Sequence, residues 1–258
     1  VLQYGPVFNG VDSWQLYNGP GLTAAMDVLP DRWNRLKIVV ALDQAQVFWN
    51  DSPEPVLVID NLAHDGSGGG IGLVGPMDGT AFFSNLSYEA NNGLALPPPA
   101  PRESMPGIIS VWELGEPFAA MRADFTRYPE ETVKASSWKP VAADPRGFVD
   151  ISRHYPRKFR AGDCVLARTT LQADSDSLLR VGFGYSDFIT VFLNRQPVFF
   201  GNAAYQSRDR SFLGIVGYFD NLFLPLKKGN NGLLVLVGES MGGWGFCFRE
   251  EDKTVIHA

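Results

Sequence analysis

The sequence predicts an all-β protein made of two antiparallel β-sandwiches of the jelly-roll type, joined by a proline-rich linker. Its 258 residues include 27 Gly, 18 Pro and 18 Phe, a composition that suits short strands joined by tight turns. Short apolar runs recur with turn residues between them, whereas amphipathic helical periodicity is scarce. The length exceeds that of one ordinary domain, and an apolar content of 45% is enough for two cores.

The first predicted domain spans residues 1–90. An alternating run over residues 33–42 turns back at Asp43 and Gln44 into residues 46–49, which predicts an antiparallel hairpin. A glycine-rich loop at residues 66–70 is read as a connection between strands. Further strands are expected at residues 55–60, 71–74 and 80–88.

A linker is predicted at residues 91–105, because the three consecutive prolines Pro97–Pro99 favour a semi-rigid polyproline II segment. The second predicted domain, residues 106–258, contains about eight short strands with turns between them. Its central strand is residues 188–193, whose two faces are both mostly apolar, so a strand covered on both sides is expected. The turn that follows predicts a hairpin with residues 198–200.

Four motifs of the first domain carry a family resemblance. In order, they resemble the later strands of a laminin-G type, concanavalin-A-like jelly roll, the fold also used by bacterial 3-keto-disaccharide hydrolase-like domains. The opening strands of that fold have no counterpart here, so the chain is expected to be either part of a longer protein with further domains or a shortened sandwich sealed by its second domain. The motifs are Trp33-x-Arg35-Leu36-Lys37-Ile38-Val39-Val40, Ala45-x-Val47-Phe48, Gly70-Ile71-Gly72-Leu73 and Phe82-Phe83-Ser84-Asn85-Leu86.

The second domain is similar to the galactose-binding-like jelly roll, an accessory module of many glycoside hydrolases. The resemblance implies a β-sandwich, and ligand binding by analogy. It also implies an extracytoplasmic location, although the chain as given begins with Val and carries no signal peptide, so the compartment is not readable. The matching runs are Ala167-Arg168-Thr169-Thr170-Leu171, Val191-Phe192-Leu193-Asn194-Arg195, and Leu224–Asn231 leading into Leu233-Leu234-Val235-Leu236-Val237.

Non-catalytic carbohydrate recognition is the favoured function. Sugars are bound by aromatic faces beside amide and charged groups on a rigid sandwich. Trp244 is the leading candidate because neighbouring glycines are expected to leave its indole unshielded, although in the alternative interpretation it closes the core. Tyr185 and Asp187 precede the central strand, and Asn194 and Arg195 lie at its turn. Two weaker candidates are Trp14 and Tyr17.

Two alternatives stay open: the accessory portion of a hydrolase acting on a disaccharide or related glycoside, and a structural or interaction scaffold. A glycosidase needs two facing carboxyl groups, and no pair is singled out. No catalytic residue is therefore predicted, and the nearest candidates are Glu113 and Glu239. No cofactor is expected beyond a structural calcium ion, which both resembled folds often hold. Its candidate donors are Asp174 and Asp176, with Asp60 and Asn61 as a second pair.

The expected partner is a glycan or small sugar, and the charge of the chain argues against nucleic acid. The net charge is −6, and residues 1–100 hold three basic and ten acidic residues, a net of 3 − 10 = −7. No basic tract exists, which argues against nucleic acid, and no run of 18 apolar residues predicts a transmembrane segment. Cys164 and Cys247 lie in apolar runs and are expected to be buried thiols. The ligand and the oligomeric state are not readable.

Overall fold

The computed structural model describes residues 1–64, 68–76, 78–91, 93–99, 103–120, 123–159 and 162–255. Strands account for 40% of the residues and helix for 4%, and the sheets are antiparallel, so the all-β prediction is confirmed. Two predicted features fall partly outside the described residues. They are the start of the glycine-rich loop at 66–67, and residues 92 and 100–102 of the predicted linker.

The described chain forms eighteen strands, one α-helix and one 3-10 turn. The helix α1 is Glu130–Ala135 and the 3-10 turn is Ile151–Arg153. The strands are β1 (Leu2–Gln3), β2 (Val7–Phe8), β3 (Val11–Asp12), β4 (Thr23–Ala24), β5 (Leu36–Ala41), β6 (Gln44–Trp49), β7 (Leu57–Ile59), β8 (Val111–Leu114), β9 (Phe118–Ala119), β10 (Lys139–Ala142), β11 (Phe148–Asp150), β12 (Asp163–Ala173), β13 (Ser177–Ser186), β14 (Phe188–Leu193), β15 (Gln196–Asn202), β16 (Asp220–Leu226), β17 (Gly229–Glu239) and β18 (Gly245–Val255).

The chain divides into two compact units. The first comprises Val1–Leu2 and Pro20–Ala100, and the second comprises Gln3–Gly19 and Pro101–Ala258. Residues 3–19 thus belong with the second unit, although the sequence analysis places them in the first domain, because a local apolar pattern does not reveal which core a segment joins. The predicted division at residues 90 and 105 stays a prediction, as do the laminin-G-like and galactose-binding-like assignments.

The first unit contains the three-stranded sheet β5-β6-β7. The predicted hairpin is confirmed: β5 pairs with β6 from Leu36 opposite Trp49 to Ala41 opposite Gln44. The predicted strands at 71–74 and 80–88 are wrong, because these residues form no strand and Phe82, for example, is 79% exposed. An alternating apolar pattern forms a strand only where a partner strand is available to satisfy its backbone.

The second unit is built on a two-layer sandwich. The larger sheet has the order β10-β8-β12-β17-β14-β15, with β9 paired to β12, and the smaller sheet has the order β11-β18-β13-β16. Inward-facing apolar side chains of both sheets form one core. Aromatic rings fill much of it: Phe183 stacks on Phe248 with centroids 5.1 Å apart, and Trp112 meets Phe246 edge to face at 4.8 Å.

The central strand behaves as its pattern predicts. β14 lies between β15 and β17, and its pairing with β15 confirms the expected hairpin. Ile189, Val191 and Leu193 enter the core between the sheets, whereas Phe192 points to the opposite face and is equally buried. The strand is therefore covered on both sides.

Residues 118–120 and 123–138, here called the cover segment, pack on the outer face of the larger sheet. Beneath them lie outward-facing apolar side chains of β12, β14 and β17, including Cys164, Leu166 and Phe192. Both Cys164 and Cys247 are fully buried free thiols, as expected. Farther along β12 the outward positions are Arg168, which is partly buried, and Thr170, which is exposed. This part of the outer face is therefore accessible to solvent.

Candidate functional site

A groove of about 710 Å³ lies on the accessible part of the larger sheet's outer face. Strands β8, β12 and β17 and the turn between β14 and β15 supply its sheet side, and Tyr128 and Val133 of the cover segment line it as well. Three of the residues singled out from the sequence line this groove: Glu113, Asn194 and Arg195. Strand positions and a tight turn hold their backbones, so the groove is built on rigid elements.

Arg168 is held in place from two sides. It lies opposite Glu113 in the ladder between β12 and β8, and its Nε donates to the Glu113 carboxylate at 2.7 Å. Its guanidinium plane also lies 3.9 Å from the centre of the Trp138 ring, a cation–π contact. Arg168 and Glu113 nevertheless stay 40% and 43% exposed, so both can still meet a ligand.

Arg195 repeats this arrangement at the turn. It forms an ion pair with Glu130 of α1, and its guanidinium lies 5.1 Å from the centre of the Tyr128 ring. The preceding residue, Asn194, accepts a hydrogen bond from the Gly232 amide and donates one to the Asn231 side chain, both at 2.9 Å. Both turn residues have positive φ, 48° and 70°, which suits a two-residue hairpin turn.

The groove is therefore charge-balanced and rich in hydrogen-bonding groups. Its two guanidinium groups are matched by the carboxylates of Glu113 and Glu130. Thr170, an outward position of β12, adds a hydroxyl group. A site of this kind can donate and accept hydrogen bonds at several points while one aromatic ring, Tyr128, offers an apolar surface.

The other predicted ligand residues do not lie at this groove but inside the second unit. Trp244 is fully buried, so the expectation of an unshielded indole is wrong, and the ring is a core side chain as the alternative interpretation had it. Tyr185 and Asp187 are 2% and 1% exposed. None of the three can touch a ligand in this conformation.

The glycines around Trp244 explain the burial. A Cβ atom at Gly242 would lie 2.6 Å from the Gln15 side chain, and one at Gly243 would lie 2.6 Å from a methyl group of Leu16. Gln15 and Leu16 are themselves 0% and 1% exposed. The glycines therefore make room for the N-terminal segment, residues 13–17, rather than leaving the indole open.

Asp187 and Glu239 are buried beside this N-terminal segment. Asp187 accepts hydrogen bonds from the Ser240 and Met241 amides at 2.8 and 3.1 Å, and Glu239 accepts one from the Gly243 amide at 3.2 Å. Burial raises the pKa of Glu239 well above its ordinary value, and the charge of Asp187 raises it further. Glu239 is thus a buried structural carboxyl group whose neutral form is favoured by its surroundings.

Glu113 and Glu239 do not form the carboxyl pair of a glycosidase. Their ladder partners in β12 are Arg168 and Asp163, which are five residues apart. At ~3.4 Å per strand residue this separates the two glutamates by roughly 17 Å along the strand. Glycosidases place their two carboxyl groups about 5–9.5 Å apart.

Comparison with known proteins gives no family. Neither the family models nor the curated proteins match the chain. Among solved structures, a β-glucosidase from Kluyveromyces marxianus in complex with glucose has a TM-score of 0.34 at 14% identity, over 57% of this chain and 16% of its own. The matched part is thus about a sixth of that enzyme.

Two further structures are similar at the same level. A family 35 carbohydrate binding module from an environmental isolate has a TM-score of 0.24 at 18% identity, over 36% of this chain and 71% of its own. The Epithelial Adhesin 9 A domain from Candida glabrata in complex with Galb1-4GlcNAc has a TM-score of 0.30 at 12% identity, over 59% of this chain and 89% of its own. Similarity of this size carries no information on what this chain binds.

The remaining predicted site residues are not part of the groove. Tyr17 is buried and donates to Asp150 at 3.0 Å. Asp174 is exposed, and the Asp176 carboxylate accepts from the Lys227 side chain at 2.9 Å and the Lys228 amide at 2.8 Å. Within the described part of the chain no group of three His, Cys, Asp or Glu side chains could hold a metal. A structural calcium ion stays a prediction.

The sequence analysis missed Arg168, Glu130, Tyr128 and Trp138. A signal for Arg168 exists: it is the one charged residue within the run Val165–Leu171 of a buried strand, so it marks a position where the outer face opens. The other three come from the cover segment, which lacks a regular pattern, and only the fold brings them beside β12. Across the described residues, no helix is long and apolar enough to cross a membrane.

Proposed function

We propose that this chain is a non-catalytic carbohydrate-recognition protein and that its glycan binds in the groove on the larger sheet. The proposal rests above all on the two Arg–Glu pairs, Arg168 with Glu113 and Arg195 with Glu130, each stacked against an aromatic ring. Side chains held in this way lose little conformational freedom on binding, so their hydrogen bonds contribute fully to affinity.

The charge balance favours a neutral glycan over an acidic one. Each guanidinium already has a carboxylate partner, so an anionic ligand would have to displace Glu113 or Glu130. A neutral sugar needs no such exchange, because its hydroxyl groups can donate to the carboxylates and accept from the guanidinium groups at the same time. The net charge of −6 also disfavours the approach of polyanions.

The separation of Glu113 and Glu239 argues against catalysis by these two candidate carboxyl groups. Hydrolysis would need a second carboxyl group within about 10 Å of the first. Glu239 lies too far from Glu113 and is buried. Release of sugar from an aryl glycoside, lost on substitution of Glu113, would instead support the hydrolase hypothesis.

Isothermal titration calorimetry of the full chain against a panel of neutral and acidic oligosaccharides tests the proposal. Arg168→Ala removes one arginine of the groove. Arg180→Ala is the matched control, since Arg180 is also 40% exposed and paired with a glutamate, Glu251, but lies on the smaller sheet. Both variants remove one arginine charge and its ion pairing, which is with Glu113 for Arg168 and with Glu251 and Asp252 for Arg180.

We expect heat with at least one neutral glycan, and a loss in affinity for Arg168→Ala of about tenfold to a hundredfold. The magnitude follows from about 1.5–3 kcal/mol for a hydrogen bond to a charged group. Arg180→Ala should bind as the wild type does. Absence of heat with every glycan, or equal losses in the two variants, contradicts the proposal and leaves the scaffold hypothesis.

A further inference from the structure

Strand β5 leaves one edge of the first unit's sheet open. The sheet order is β5-β6-β7, and among the residues that the structure describes β5 pairs with β6 alone. Leu36, Ile38 and Val40 are 49–56% exposed although all three are aliphatic. A six-residue edge strand with exposed apolar side chains is the kind of edge that pairs with another strand.

The backbone groups at this edge can be assigned by alternation. The Arg35 carbonyl accepts from the Asn50 amide at 2.9 Å, so Arg35 directs its backbone toward the β6 side. Backbone direction alternates along an antiparallel strand. Leu36, Ile38 and Val40 therefore direct their N–H and C=O groups away from β6, toward the open edge.

The same three residues share one face of the sheet. Leu36 lies opposite Trp49, Ile38 opposite Val47 and Val40 opposite Ala45, and directly opposed residues project to the same face. This face is thus apolar up to the edge. Lys37 projects to the other face, where its ammonium lies 4.9 Å from the centre of the Phe48 ring, so it does not block the edge.

We propose that β5 pairs antiparallel with β5 of a second copy of this chain, about a two-fold axis at Ile38. In this register Ile38 opposes Ile38 of the second copy, and Leu36 opposes Val40. The outward backbone groups of Leu36, Ile38 and Val40 then meet as hydrogen-bonded pairs, and the apolar faces of both copies lie on the same side.

A register shifted by one residue would lose both the backbone hydrogen bonds and the shared apolar face. Residues whose backbone groups point toward β6 would then oppose residues whose groups point outward, and opposed side chains would project to different faces. Lys37 opposes Val39 in the chosen register, so no like charges are opposed. The edge is therefore self-complementary in backbone, side-chain face and charge. This is the property that an isologous dimer requires.

Cysteine cross-linking tests the register. The native Cys164 and Cys247 are fully buried, so an introduced thiol reacts without background. In the dimer the two Cα atoms of residue 38 lie about 5.5 Å apart, within reach of a disulfide. We expect Ile38→Cys to form a covalent dimer under mild oxidation.

Leu36→Cys and Val40→Cys should each form no covalent dimer alone and should cross-link when mixed, since position 36 opposes position 40. Light scattering should show a concentration-dependent rise from monomer to dimer mass in the wild type, abolished by Ile38→Lys, which opposes two ammonium groups. All three positions are exposed, so folding should be kept. Monomer at every concentration, or equal cross-linking of all three single variants, would overturn the proposal.

Discussion

Leu16→Ala measures how far the N-terminal segment stabilises the second unit. Leu16 is 1% exposed, and its methyl groups occupy the space that Gly243 and Gly245 leave free. Replacing a buried leucine by alanine costs about 2–5 kcal/mol, from lost burial and the cavity left behind. For a unit of this size, that lowers the melting temperature by about 4–20 °C.

Thermal and urea unfolding of the full chain, followed by tryptophan fluorescence, measures this loss. Val7→Ala is the matched control, because Val7 lies in the same N-terminal part of the second unit but is 51% exposed. We expect the control to change the free energy of unfolding by less than about 0.5 kcal/mol. Equal, small effects of the two substitutions would refute the docking of residues 13–17.

A double-mutant cycle with Gly243→Ala sharpens the result. In the wild type the added Cβ would lie 2.6 Å from a Leu16 methyl group, so the substitution is costly. In the Leu16→Ala background that contact is gone, and the cost of Gly243→Ala should be smaller. The strain of a positive φ of 138° and the contacts of the added Cβ with the Ser13 backbone at 3.2 and 3.3 Å remain. Strictly additive costs would mean that the two residues do not touch.

Three further results are expected. Because burial raises the pKa of Glu239, proton binding favours the folded state, and stability falls as the pH rises above the ordinary value of 4.5. Glu239→Gln should lose this fall in urea titrations at increasing pH, and an unchanged fall would exclude the assignment. Burial raises the pKa of Cys164 to about 12, so neither it nor Cys247 should react with a thiol reagent at pH 8 before unfolding, and fast labelling would contradict the buried placement. Trp244→Ala should cost about 3–5 kcal/mol in unfolding without removing glycan binding, whereas loss of binding in a stable variant would restore its predicted role.

The side chains of residues 188–193 are sufficient to predict a strand covered on both faces, because both alternating sets are mostly apolar and both are buried in the structure. The same kind of pattern failed at residues 80–88. A strand also needs backbone partners, and no local signal states whether a partner exists. Local pattern thus predicts a strand's faces better than its existence.

The candidate site was predictable only in part. Asn194 and Arg195 were found because turn residues beside a rigid strand are natural ligand contacts. The exposure of Trp244 is not predictable, because glycines that leave a ring exposed and glycines that make room for another segment look the same in sequence. Gln15, which fills the space beside Gly242, lies more than 200 residues away in the chain. The partners of Arg195, Tyr128 and Glu130, lie in the cover segment, more than 60 residues earlier in the sequence.

Amide hydrogen exchange of the full chain, with and without a neutral glycan that gives heat, tests the central claim most directly. Binding in the groove predicts slower exchange at residues 168–170 of β12 and at the turn residues 194–195, which line it. Exchange around Trp244 should stay unchanged, because that region is already buried. Protection confined to residues 239–244 would contradict the assignment of the ligand to the groove.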